Sequence, residues 1–184
     1  VPLNVAASKS SDGRRVFGRV VESLRGECHV VTFDMRGVGR SSAPGKRSSY
    51  RLHNLVHDVT AVIDAIFGPH ARVHLVGHDW GGLLTLRVAS LRPDLVRTLA
   101  TGSGPLDLEY RWHDTAVAWQ TPGLGEQLMT MFGGEIAIES LVAAGLLRAY
   151  ATQAMARVDE RMKDAILRLY RSAIDVSARW VPDL

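Results

Sequence analysis

The segment Val73–Gly82, VHLVGHDWGG, restricts the fold of this chain more than any other. An apolar, β-branched run without helical period passes, with no loop between, into residues that open a helix. Gly77 and Gly81 flank the turn and relieve crowding where the backbone doubles back, which pushes Asp79 into a strained, exposed position. A helix starting near Gly81 aims its backbone N–H groups at that side chain and favours a negative charge there. Two readings of Asp79 follow. It is a nucleophile on a Gly-x-nucleophile-x-Gly elbow, or it is an ordinary N-cap, a position aspartate also prefers.

The surrounding sequence supplies the strand and helix that an elbow requires. Val16, Phe17, Val20, Val21 and Leu24 recur at helical spacing up to Gly26, and HVVTFD (His29–Asp34) reads as a buried strand. RGVGRSSAPG is a loop. Leu52, Leu55, Val56, Val59, Val62, Ile63 and Ile66 form one helical stripe closed by Gly68 and Pro69, before a strand at Arg72–Gly77. A helix at Gly82–Leu91 and a third strand at Val96–Thr101 complete the alternation, which predicts an α/β fold with a mostly parallel sheet flanked by helices. From Leu106 onward no strand pattern returns. HDTAVAWQ reads as helix, TPGLGE (Thr121–Glu126) as punctuation, and Met162, Ala165, Ile166, Leu169, Tyr170, Ala173 and Ile174 as the stripe of a last helix. The division expected is a partial core at 1–105 and a helical segment at 106–184.

Composition narrows the function. With 184 residues and 46% hydrophobic content there is material for one proper core. The net charge is +3 and the 22 basic residues are scattered, so neither nucleic acid nor an anionic membrane is expected as a partner. Cys28 stands alone and the seven histidines show no metal-ligand spacing, so no disulfide, metal or cofactor is expected. No apolar run has membrane-spanning length and no signal peptide is legible, which makes the cytoplasm the expected compartment.

An aspartate nucleophile has chemistry of its own. It is ionised at neutral pH, and on attacking a saturated carbon it leaves an ester that can be reopened at its own carbonyl; a serine would leave an inert ether. Asp79 therefore suits epoxide opening or dehalogenation better than ester hydrolysis.

Asp34, Arg36, Gly37, Gly39 and Ser41 form a D-x-R-G-x-G-x-S loop, followed some forty residues later by Gly77, His78, Asp79, Trp80 and Gly81. The pair of motifs resembles the α/β-hydrolase fold in its epoxide hydrolase and haloalkane dehalogenase branch, over roughly Arg14 to Pro105. The helical remainder resembles the start of that family's cap. The resemblance implies Asp79 as nucleophile, the Trp80 N–H as half of an oxyanion hole, and the Trp80 side chain as pocket wall. It further implies cap tyrosines that hydrogen-bond the epoxide oxygen, for which Tyr110, Tyr150 and Tyr170 are candidates. Those tyrosines, with Trp112 and Trp119, equally suit plain core positions.

Two departures bear on turnover. Ser8-Lys9 stands where the family places a His-Gly dipeptide, and the only histidine after Asp79 is His113, beside Asp114 in a pair that reads as a surface or capping feature. Loss of a general base or an oxyanion donor each removes about 10²–10⁴ in rate. The expectation is a truncated, impaired hydrolase acting on a small apolar epoxide, haloalkane or ester, with self-association through an unpaired sheet edge. The alternatives are a non-catalytic remnant or interaction module of the same fold, and an ester or lactone hydrolase.

Overall fold

The computed structural model describes residues 3–8, 17–104 and 107–180. Four parallel strands, β1 (Leu3–Ser8), β2 (His29–Asp34), β3 (Val73–His78) and β4 (Val96–Gly102), lie in the order β2-β1-β3-β4. Helices α1 (Gly18–Leu24), α2 (Leu52–Phe67) and α3 (Trp80–Leu91) make the connections that parallel pairing demands. The register aligns Ser8 with both Asp34 and His78, and His78 with Gly102. The loops that follow these strands therefore all leave from one edge of the sheet, as expected for a site in an open α/β fold.

Residues 107–180 hold six helices and no strand: α4 (Asp114–Gln120), α5 (Leu124–Met131), α6 (Glu135–Ala143), α7 (Arg148–Met155), α8 (Glu160–Ser172) and α9 (Val176–Trp180). The main core joins Leu55, Val59 and Ile63 of α2, Val73 and Leu75 of β3, and Leu83, Leu84 and Val88 of α3 to one face of α8. That face carries Met162, Ala165, Ile166, Leu169 and Tyr170, so the predicted stripe is what docks the helical part on the sheet-bearing part. Helices α6 and α7 enclose a small separate core around Ile138, Ala151 and Met155.

Several boundaries differ from the sequence reading. β3 runs one residue later than expected, and α3 starts at Trp80, because Asp79 alone makes the turn. TPGLGE is only half punctuation: Gly123, at φ 83°, caps α5, which begins at Leu124. Ile66, in the last turn of α2, and Ile174, beyond the end of α8, are exposed rather than part of their stripes. Phe17, the N-cap of α1, is buried but Val20 within the helix is exposed; Val16 and Lys9 lie outside the described residues. Among the described residues no helix is long and apolar enough to cross a membrane.

Candidate active site

Asp79 sits at the hinge of the strand-to-helix turn with φ 56° and ψ −125°, a backbone conformation that costs a non-glycine residue about 1–3 kcal/mol. Its backbone is held on both sides. Its N–H donates to the Gly102 carbonyl at 3.0 Å, and its carbonyl accepts from the Gly82 and Leu83 N–H groups at 2.9 and 3.3 Å. Its carboxylate makes no capping hydrogen bond to α3, so the N-cap role does not account for this aspartate.

The glycines around it have steric reasons. A Cβ on Gly77 would stand 2.3 Å from both the Gly81 carbonyl oxygen and Thr85 Oγ1. Thr85 is itself fully buried and donates to the Gly81 and Gly82 carbonyls at 2.9 and 3.1 Å. A Cβ on Gly82 would meet Thr101 Oγ1 at 2.6 Å and the Gly102 carbonyl at 2.8 Å. Gly82, passed over in the sequence reading, thus sets how closely α3 approaches β4. Ser103, just past β4, is the other described non-glycine residue at positive φ, 60°. The chain after it passes close to the Asp79 turn, since a Cβ on Gly104 would lie 3.2 Å from the Asp79 carbonyl oxygen. The strain at Ser103 has no signature in the sequence beyond its neighbouring glycines, Gly102 and Gly104.

An aromatic cluster roofs this turn. The buried Trp80 ring is stacked on Trp112 (centroids 5.8 Å, 26°) and meets Tyr170 edge-on at 5.3 Å. Tyr110 meets Trp112 at 5.2 Å, and Trp119 meets Tyr170 at 4.9 Å. The Trp112 indole N–H donates to the Ile174 carbonyl at 3.1 Å, which ties the segment after β4 to the end of α8. Burial raises the Tyr110 phenol above its ordinary pKa, and the neighbouring Tyr170 and the Asp79 carboxylate push it further in the same direction. Tyr110 therefore lies within electrostatic reach of both. Of the three candidate tyrosines, the fold brings Tyr110 and Tyr170 to the turn. Tyr150 is 47% exposed on α7, the helix that shares its small core with α6.

The other predicted residues have structural work. His113 caps α4, its Nδ1 accepting from the Ala116 N–H at 3.2 Å, as its sequence context suggested. His78, the last residue of β3, is exposed. In the loop after β2, the Arg36 guanidinium forms a two-pronged pair with Asp58 of α2 at 2.6 and 2.7 Å and donates to the Ser49 carbonyl at 2.6 Å. Gly39 (φ 52°) has no room for a side chain beside the Asp34 carboxylate, and Ser41 Oγ donates to the Asp34 carbonyl at 2.5 Å. A Cβ on Gly37 (φ 79°) would fall 2.3 Å from Ala165 Cβ. Arg161 of α8 donates to the Ser41 carbonyl at 2.6 Å and to that of Gly39, and Arg168 donates to that of Gly45. This loop is a brace on which α8 rests. No group of three or more His, Cys, Asp or Glu residues able to hold a metal occurs among the described residues.

A strained acid between a parallel strand and a helix, under helices inserted after β4, defines a class. The model of the alpha/beta hydrolase fold matches residues 9–125, and the chain belongs to that family. Among curated proteins, it is 33% identical over 79 residues to epoxide hydrolase 4 of Mus musculus, covering 43% of this chain and 21% of that protein. It is 45% identical over 65 residues to epoxide hydrolase B of Mycobacterium tuberculosis, covering 35% and 18%. The chain thus spans about a fifth of the length of these relatives. Among solved structures, a loop variant of a haloalkane dehalogenase from Bradyrhizobium elkanii superposes with TM-score 0.72 at 22% identity, covering 100% of this chain and 65% of that one. An epoxide hydrolase of Bacillus megaterium superposes with TM-score 0.65 at 21% identity, covering 94% and 65%. At such identities the superpositions speak for the fold.

Proposed function

We propose that this chain opens epoxides through Asp79. The observation that carries the reading is the strained Asp79, free of a capping role, beneath a roof that includes two tyrosines. One carboxylate oxygen attacks a ring carbon, the C–O bond of the epoxide breaks, and an ester to Asp79 forms. The departing ring oxygen takes the electron pair and a proton, with Tyr110 and Tyr170 as hydrogen-bond donors to the growing charge. Trp80 walls the pocket, and its N–H is suited to an oxyanion in the later, hydrolytic step. Residues 1–105 then act as catalytic core and 106–184 as a cap-like cover.

Dehalogenation is the second reading, since the fold neighbours include a dehalogenase. The indole N–H of Trp112, which stacks on Trp80 beside the turn, is committed to the Ile174 carbonyl rather than open to a departing halide, which favours the epoxide. His113 is engaged in capping α4 and takes no part in the ring-opening step. Styrene oxide incubated with the chain should leave one covalent adduct by intact mass, absent in Asp79→Ala. No adduct would refute the reading in favour of a non-catalytic module, and cleavage of aryl esters without an alkyl adduct would favour an esterase. The seven residues of β4 include none that is buried, which supports association through that strand; a monomer in sedimentation would count against it.

A further inference from the structure

Resting on the reading of Asp79 as nucleophile and Tyr170 as donor, a positioning role emerges for two residues outside the aromatic roof. We infer that Arg171 and Glu126 form a clamp that aims Tyr170 and Trp119 at the Asp79–Trp80 turn. Arg171 follows Tyr170 directly in α8, and its guanidinium reaches back to the α4–α5 corner. Its Nη1 and Nη2 donate to the two Glu126 carboxylate oxygens at 2.6 and 2.7 Å. Its Nε donates to the Trp119 carbonyl at 3.2 Å, and Nη2 also reaches the Thr121 carbonyl at 3.4 Å. Glu126 Oε2 in turn accepts from the Gly123 N–H at 2.8 Å, so the same carboxylate holds the start of α5. The corner is closed tightly: a Cβ on Gly125 would stand 2.9 Å from Arg171 Nη2 and from the Trp119 carbonyl.

One guanidinium therefore fixes the backbone of Trp119 relative to that of its own neighbour Tyr170, and those two rings pack at 4.9 Å. Tyr170 carries the placement on to Trp80. The side chains of Arg171 and Glu126 are 17% and 54% exposed, and ion pairs so open to water add little to stability. Placement is the larger effect, since an error of about 1 Å at a reacting group costs about 100-fold in rate. The fork geometry makes the clamp specific to arginine, because a lysine ammonium cannot grip two carboxylate oxygens and a carbonyl in one plane.

The test uses the full chain, with styrene oxide as probe, and reads the saturating rate of Asp79 alkylation, the half-saturating concentration, near-UV circular dichroism and Tm. Arg171→Met is expected to slow saturated alkylation by about 10- to 100-fold with little change in half-saturation, to weaken the aromatic circular dichroism signal, and to leave Tm nearly unchanged. Glu126→Gln should fall between the two, and Arg171→Lys should recover little. In a Tyr170→Phe background, Arg171→Met should add almost nothing, because both changes act through one ring. The clamp is overturned if Arg171→Met alkylates within about twofold of the parent, if lysine restores the full rate, or if the loss simply follows Tm. If the parent itself forms no adduct, the nucleophile reading fails separately. The aromatic signal then decides the clamp, with an unchanged signal in Arg171→Met overturning it.

Discussion

Replacing Asp79 by glycine should make this protein more stable while abolishing any chemistry at the turn. At φ 56° and ψ −125° an L-residue stores about 1–3 kcal/mol of backbone strain, which glycine does not feel. Glycine also loses more chain entropy on folding, about 0.4–1 kcal/mol relative to alanine. The useful comparison is Asp79→Gly against Asp79→Ala, since both remove the carboxylate and only one removes the strain. The difference comes to roughly 1–2 kcal/mol in favour of glycine. For a chain of this size, each kcal/mol moves Tm by about 2–4 °C. Urea titration gives the free energy, and thermal unfolding followed by far-UV circular dichroism gives the shift. Equal stability of the two variants, or a less stable glycine variant, would refute the claim that the turn is strained.

The remaining predictions concern the frame around the turn. Gly77→Ala should lose at least about 1–3 kcal/mol by overpacking, seen as a lower urea midpoint, because the atoms it meets at 2.3 Å include backbone. Asp58→Ala should cost about 1–2 kcal/mol, less than a fully buried pair, since it strips the half-buried Arg36 of its two-pronged partner. The Arg171 fork and the Gly123 N–H hold the Glu126 carboxyl at about 2, down from 4.5. A depressed carboxyl stabilises the fold above its unfolded pKa, so this contribution should fade as pH falls from 4.5 towards 2. Because Glu126 is open to water, the parent's advantage over Glu126→Gln is small, and thermal scans should show even that vanishing across this range. Burial raises the phenols of both Tyr50 and Tyr110. Their neutral forms favour folding until pH climbs through the raised values, and absorbance titration of Tyr110→Phe should lack one of two late-ionising components.

Much of the fold was legible because short β-branched runs and amphipathic helices leave different periods in a sequence. HVVTFD matched its strand to the residue, although none of its six residues is buried as a buried strand requires, and the stripe of α8 was drawn almost whole. Helices α6 and α7 escaped notice because they bury their apolar residues chiefly on one another, around a small core, and leave Ile136, Leu147 and Tyr150 exposed. Within the site, the glycines and Asp79 could be singled out because a sharp turn admits few residue types.

The sequence by itself determined the α/β alternation and the sharp strand-to-helix turn at Asp79, for these rest on local periodicity and on backbone angles that neighbouring residues dictate. It also marked His113, with Asp114, as a surface or capping feature, and the cap it makes depends only on the three residues that follow. Only the tertiary structure could choose Tyr110 and Tyr170 over Tyr150, put Gly82 rather than Gly81 against β4, and pair Arg171 with Glu126. Those choices depend on residues about 20 to 90 positions apart meeting where α3 packs on β4 and α8 on the aromatic cluster, and no period along the chain encodes which side chains such packing brings together.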